Sequence, residues 1–342
     1  MGRFCLQQSI KQGIFYLLCI KKQCPTCRSF NTKRRGKERG LQTWSCHTCG
    51  KRFRNQRRRD GSFEKKVWGA YVFQKQTLRE LKYNHHKDTR TIRNILRVYT
   101  APQKTHFPRK VNVVTDALYF GERKEHTSWC VIVIRGPIRK ENLWWGFFDT
   151  ETTSAYRQGR EYLERLGYEI VSVTGDGFAG IREAFYPIPF QMCHVHMERL
   201  IIHGTTRRPE LIAGQALLAL ARSLHTMNEK TFRHYFARYI ETYRDFLNEK
   251  TVNSFDGSSF FTHDPLRRAV LSLRRFLPFL FLHETHRDIP RTSNSLEGHF
   301  AHLRDVVEIH RGLKRAQKER VLHSILLAST IAPTRGKLKH VL

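Results

Sequence analysis

Residues 111–120 read VNVVTDALYF. Before them lies APQKTHFPRK (101–110), a linker with two prolines; after them come two similar runs, SWCVIVIRG (128–136) and LWWGFFDTE (143–151). Short polar turns separate these three segments, so they read as successive strands. A helical stretch follows at 154–166, then a strand EIVSVTGD (169–176), another helix, and a strand FQMCHVH (190–196). Three strands in a meander continued by β-α-β units predict an α/β chain built on a mixed sheet. From about 198 to 285 strand signals disappear. Phe232, Tyr235, Phe236, Tyr239, Ile240, Tyr243, Phe246 and Leu247 keep a helical stripe there, the pattern of a buried helix face.

Upstream of the linker the period is helical. TLRELKYNHHKDTRTIRNILRVY (77–99) reads as two short helices around a polar break. Leu78 and Leu81 share a face of the first, and Ile92, Ile95, Leu96 and Tyr99 fall at i, i+3, i+4 and i+7 in the second. Arg90, Arg93, Asn94 and Arg97 then lie mostly off the apolar stripe, where a helix-turn-helix presents residues to base edges in the major groove. A plain helical hairpin with a solvated basic face has the same pattern.

Further upstream, CPTC (24–27) and CHTC (46–49) place two Cys-x-x-Cys pairs with 18 residues between them. Each pair can supply two thiolates to one side of a tetrahedral Zn²⁺, with Pro25 and Gly50 marking turns, so Cys24, Cys27, Cys46 and Cys49 read as a zinc ribbon. A chance pattern or a redox pair is the alternative. The charge sits at this end. Of the net +31, residues 1–110 carry 28 Lys/Arg against 5 Asp/Glu, and residues 111–342 carry 33 against 25. A basic arm beside a compact metal module is suited to neutralising nucleic-acid phosphates, although a ribosome or an acidic membrane surface would attract it too.

No run approaches the roughly 18–20 apolar residues of a membrane span. IFYLLCI (14–20) is too short and has no plausible cleavage site after it; a small strand, a helix, or translation from a start codon too far upstream would each account for it. Cys5, Cys19, Cys130 and Cys193 show no disulfide framework, which fits a reducing compartment.

Three carboxylates stand out by position. Asp116 lies in the first strand, Asp176 ends the fourth, and Glu297 opens a late helix in RTSNSLEGHFAHLRDVVEIH. If the first and fourth strands are neighbours, Asp116 and Asp176 converge at one sheet edge, where a helix can bring Glu297. Three such carboxylates can hold two divalent cations about 3.5–4 Å apart, and Mg²⁺ suits that set. Each also has a plainer reading. Asp116 can cap a strand end, Asp176 can make a turn between two glycines, and Glu297 can close a capping box with Asn294.

The arrangement resembles the Mutator-type DDE transposases of bacterial insertion sequences. The matching pieces are TDALYFG around Asp116, TGDGFAGIREAF around Asp176, CHVHMERL with Cys193-x-x-His196, and TSNSLEGHFAHLR around Glu297. The resemblance covers roughly 110–330 and implies an RNase H-like core interrupted by an all-helical insertion, the Glu lying 121 positions after the second Asp. It implies that Asp116, Asp176 and Glu297 are catalytic and bind two Mg²⁺ (Mn²⁺ as a substitute). It also places Cys193 and His196 beside the active site and matches Arg304 to a basic residue on the Glu297 helix. Cys193-x-x-His196 is half of a zinc site by spacing, but none of its nearby candidate partners, His203, Cys130 and His194, has a paired spacing. Relatives with helical insertions often carry a Trp there to stack on a flipped base, whereas all five Trp here lie between 44 and 145.

The expected organisation is an N-terminal extension (1–22), a zinc ribbon (23–58), a helix-turn-helix (62–100), the linker (101–110), a core from 111–197 and 291–330, and a helical insertion (198–290). The expected partners are double-stranded DNA, as terminal inverted repeats and target, and further copies of the chain on paired ends, in the bacterial cytoplasm with the nucleoid. A DNA-binding regulator, an inactive remnant, and an RNase H-like nuclease without strand transfer are the competing functions.

Overall fold

The computed structural model describes residues 22–38, 40–54, 61–122, 127–310 and 312–329. The apolar run 14–20 and most of the charged junction NQRRRDGS lie outside them. The chain forms two compact units divided at Phe63/Glu64.

The first unit is a three-stranded antiparallel sheet of β1 (Thr32–Glu38), β2 (Leu41–Cys46) and β3 (Arg52–Arg54). After the buried Thr32, every residue of β1 is exposed, Lys33, Arg34, Arg35 and Lys37 among them, and the Arg34 guanidinium lies 5.3 Å from the Trp44 ring centre. The unit has little apolar material to bury. Its cohesion must come from the cysteine end.

The second unit opens with α1 (Ser62–Phe73), α2 (Leu78–His85) and α3 (Thr89–Val98). Thr77 and Glu80 form a reciprocal capping box on α2, and Asp88 caps α3 through Thr91 N–H at 2.7 Å. Leu81, Ile92 and Leu96 are buried where the two helices meet. The linker 101–110 has no regular structure until its last residue, yet it is tied down. Lys104 and Arg109 pair with Glu141 at 2.7 and 2.5 Å, and the Tyr168 hydroxyl accepts from Phe107 N–H.

The sheet follows: β4 (Lys110–Phe120), β5 (Trp129–Gly136), β6 (Glu141–Phe148), α4 (Thr153–Arg165), β7 (Glu169–Gly175), α5 (Ala179–Phe185) and β8 (Phe190–Met192). Its order is β6-β5-β4-β7-β8; β6, β5 and β4 are antiparallel, while β7 and β8 add in parallel. All of β5 is buried, as its unbroken apolar run requires of an inner strand. Cross-strand partners share a face. Thr115, Ile134 and Trp144 therefore face α4, whose Gly159 lets the helix approach so closely that a Cβ would come within 2.5 Å of Trp144. Asp116, Val133 and Trp145 face the other side, where Trp145 donates to His323 at 3.1 Å.

The chain continues with α6 (His194–Thr205), α7 (Ile212–Arg222), α8 (Glu229–Thr242), α9 (Arg244–Asn248), β9 (Lys250–Val252), β10 (Ser259–Phe261), α10 (Asp264–Phe276), α11 (Asn294–Ile309) and α12 (Arg315–Ala328). Two expectations are corrected. The last strand ends at Met192, not His196, because Cys193 N–H is the last to bond β7 (to Gly175 O) and Cys193 then starts α6. The insertion is not all-helical: β9 and β10 form an antiparallel hairpin. Its turn is built by Asn253 and Asp256, each accepting the N–H two residues on, with Gly257 at φ +70°.

Helices α1 to α3 pack on α11 and α12. Trp68 donates to the Ser324 hydroxyl at 3.0 Å, Tyr71 stacks on His310, and Arg320 donates to the carbonyls of Leu96 and Arg97. Among the described residues no helix is long and apolar enough to cross a membrane.

Candidate metal centre and active site

In the first unit the two Cys-x-x-Cys turns have the same form. The N–H four residues beyond the leading cysteine returns to its carbonyl: Arg28 to Cys24 at 2.9 Å and Gly50 to Cys46 at 3.0 Å. Both residues have positive φ, +59° at Arg28 and +68° at Gly50. The four sulfurs of Cys24, Cys27, Cys46 and Cys49 lie within 4.8 Å of one another, with Cys24–Cys49 at 3.7 Å and Cys27–Cys46 at 3.5 Å. Zinc–sulfur bonds of about 2.3 Å in a tetrahedron put the sulfurs about 3.8 Å apart. The cluster has the dimensions to hold a zinc ion.

In the second unit, β4 and β7 are parallel neighbours with Val114 beside Thr174. Asp116 is two residues past that point, within β4, and Asp176 follows the end of β7, so both lie just beyond the last paired residues of the two strands. Asp176 accepts Phe178 N–H at 2.9 Å and thus makes its turn as well. The Asp116 side chain is 15% exposed, and its Oδ1 accepts Ala117 N–H. Burial lifts its carboxyl from an ordinary 3.8 to about 6; the His196 charge opposes that shift, while the negative charges of Asp176 and Glu151 add to it. Glu151, just beyond β6, is a fourth carboxylate that position alone did not single out. The hydroxyls of Tyr156 and Tyr119 donate to it at 2.5 and 3.2 Å.

Glu297 occupies the first turn of α11, which packs against β4. The capping box with Asn294 does not form: the helix begins at Asn294 itself, after Ser293. Both Glu297 oxygens instead accept from Arg199 on α6, Nη1 at 2.7 Å and Nη2 at 2.9 Å. Among the described residues the three carboxylates do not draw together as the four sulfurs do. Arg304, two turns further along α11, is exposed.

Cys193 and His196 bridge these elements. Buried Cys193 Sγ accepts from Ser293 N–H at 3.3 Å and lies 3.4 Å from the Ser293 hydroxyl, which is also 3.4 Å from His196 Nδ1. His196 Nε2 is 4.0 Å from Asp116 Oδ2. Burial alone would lower the imidazole, but the Cys193 hydrogen bond and charge, then Asp116 and Asp176, raise it to about 9. Burial likewise works against ionising Cys193, yet His196 and Ser293 bring the thiol below its ordinary range. Neither residue joins a described group of three or more metal ligands. Of the suggested partners, His194 Nε2 is occupied by the Leu280 carbonyl and Cys130 is buried in β5.

Arg90, Arg93, Asn94 and Arg97 are all exposed on α3. Arg93, Asn94 and Arg97 also line a cleft of about 680 Å³ shared with Arg79, Gln317 and Arg320, so part of that face looks toward α12.

No family model matches the sequence, and no curated protein matches it. Two solved structures are similar at low identity. One is the Drosophila P element transposase strand transfer complex, at 11% identity over 78% of this chain and 78% of that one, with a TM-score of 0.30. The other is the simian T-cell lymphotropic virus intasome in complex with PP2A regulatory subunit B56 gamma, at 13% identity over 59% of this chain and 74% of that one, with a TM-score of 0.19. Both scores are below the level at which a shared fold follows.

Proposed function

We propose that the chain is a DNA transposase of the DDE kind, with an RNase H-like core, that binds the terminal inverted repeats of its own insertion sequence and cuts and joins DNA there. The observation that carries this reading is the parallel pairing of β4 with β7, just beyond whose last paired residues lie Asp116 and Asp176, with α11 packed on β4 and bearing Glu297. The sequence motifs around these residues, in that order, support the Mutator-type assignment.

The donor set suits Mg²⁺, or Mn²⁺ in its place: it is all oxygen, and burial, with the nearby charges of Asp176 and Glu151 adding to it, makes the bare Asp116 carboxylate unfavourable until a cation joins it. Asp116, Asp176 and Glu297 would hold the ions. When bound, Mg²⁺ supplies Lewis-acid activation of a water or 3′-hydroxyl and stabilises the leaving oxygen. His196 offsets the charge on Asp116 and orients it, and Arg304 is available to a phosphate. Zinc at the four cysteines is structural, since closing the cluster leaves no open position.

The basic β1 strand and the α3 face bind duplex DNA, with phosphate contacts giving affinity and a few base contacts giving specificity. The active form is an oligomer on paired ends, working in the bacterial cytoplasm with the nucleoid.

The test separates binding from chemistry on DNA carrying the element ends. Asp116→Asn, Asp176→Asn and Glu297→Gln should each abolish Mg²⁺-dependent cleavage and joining, with end binding kept within about twofold. Substantial cleavage by any of the three removes that residue from the set. Wild type that cuts but never joins is a nuclease, and wild type that binds without cutting is a regulator or an inactive remnant.

A further inference from the structure

Helix α6 carries two cations on one face. His196 and Arg199 are three residues apart, and residues at that spacing are neighbours on a helix surface. His196 reaches Asp116 on the sheet, while Arg199 grips Glu297 on α11 through both oxygens, at 2.7 and 2.9 Å. One turn of one helix therefore supplies the counter-charge to two of the three carboxylates.

The two contacts differ in accessibility. The side chains of His196 and Asp116 are 21% and 15% exposed, but that of Arg199 is 56% exposed. A solvent-reached ion pair is screened and cheap to open. A bidentate guanidinium nevertheless engages both oxygens of its partner, and its positive charge there repels a divalent cation approaching the same carboxylate. Arg199 and a metal ion thus compete for Glu297.

We propose that Arg199 is an exchangeable counter-ion: it holds Glu297 while that carboxylate has no cation and yields it to a divalent cation. The proposal rests on the reading of Asp116, Asp176 and Glu297 as one metal-binding set. It makes Arg199 a competitor of the metal. An arginine that merely held Glu297 in ligating position would have the opposite effect.

Mn²⁺ binding to the full-length protein, measured by titration calorimetry at low ionic strength, distinguishes the two. Removing an exposed pair should free about the energy it contributes, so Arg199→Gln should bind Mn²⁺ roughly two- to fivefold more tightly. Arg199→Lys, which keeps the charge but loses the fork, should fall between. Glu297→Gln should bind more weakly, and adding Arg199→Gln to it should change nothing further, because the pair is already broken. Unchanged or weaker binding in both Arg199 variants, with Glu297→Gln still weakening it, overturns the exchange while leaving the metal site in place. If neither Asp116→Asn nor Glu297→Gln alters Mn²⁺ binding, the metal site itself falls, and the proposal with it.

Discussion

Asp116→Asn should make the metal-free protein more stable at alkaline pH. The fold raises the Asp116 carboxyl from 3.8 to about 6. A group whose pKa is higher folded than unfolded contributes fully below the unfolded value, near pH 3.8, and loses that contribution as pH rises through about 6. At about 1.4 kcal/mol per pH unit, the ionised carboxylate at pH 8 costs up to about 3 kcal/mol. Local relaxation and water entry bring a realistic figure to about 1–2 kcal/mol. Asparagine has nearly the same shape and stays neutral, so it avoids the cost. Urea unfolding followed by tryptophan fluorescence reports mainly on the second unit, which holds Trp68, Trp129, Trp144 and Trp145, while the first holds Trp44. With zinc retained and Mg²⁺ dialysed away, the variant should lead wild type at pH 8, and the gap should close toward pH 4. Added Mg²⁺ should stabilise wild type and leave the variant unmoved, because only the former binds it well. A variant equal to or less stable than wild type at pH 8 without Mg²⁺ refutes the argument that Asp116 sits in an electrostatically unfavourable place.

Two further outcomes are expected. The purified protein should contain one zinc per chain. Cys46→Ser should lose that zinc and the end binding that depends on the first unit, while the unfolding curve of the second unit stays within about 0.5 kcal/mol of wild type. His196→Ala should push the Asp116 titration above about 6, since the imidazole lowers it more than the Ala117 N–H does, and this is readable by carboxyl NMR. Its joining rate should fall by about tenfold or more with zinc content still at one; an Asp116 titration that does not move would separate His196 from the carboxylate.

Features set by neighbours along the chain are legible in the residues themselves. The Cys-x-x-Cys turns need only a few residues each, and the strands at 111–120, 128–136 and 169–176 announce themselves by composition and boundaries. Even the β9–β10 hairpin has its signal, the Asp256–Gly257 turn between Thr251-Val252 and Phe260-Phe261; the helical pattern on both sides masks it. That β4 and β7 are neighbours enters the sequence reading only as a condition, because strand order depends on which faces the crossover helices can bury. Nor does any local pattern signal that α1 packs its Trp68 and Tyr71 on α11 and α12, more than 230 residues away, so that α1 to α3 lie within the second unit and not apart from it. The same holds at the site. Glu151 is held by Tyr119 and Tyr156, and Glu297 by Arg199 from 98 positions upstream. Residue type and spacing fix what a side chain can do within a turn or a strand, where the backbone sets the distances. Its partner from another element is chosen by how helices and sheet pack to bury their apolar faces, a choice made by the whole chain at once.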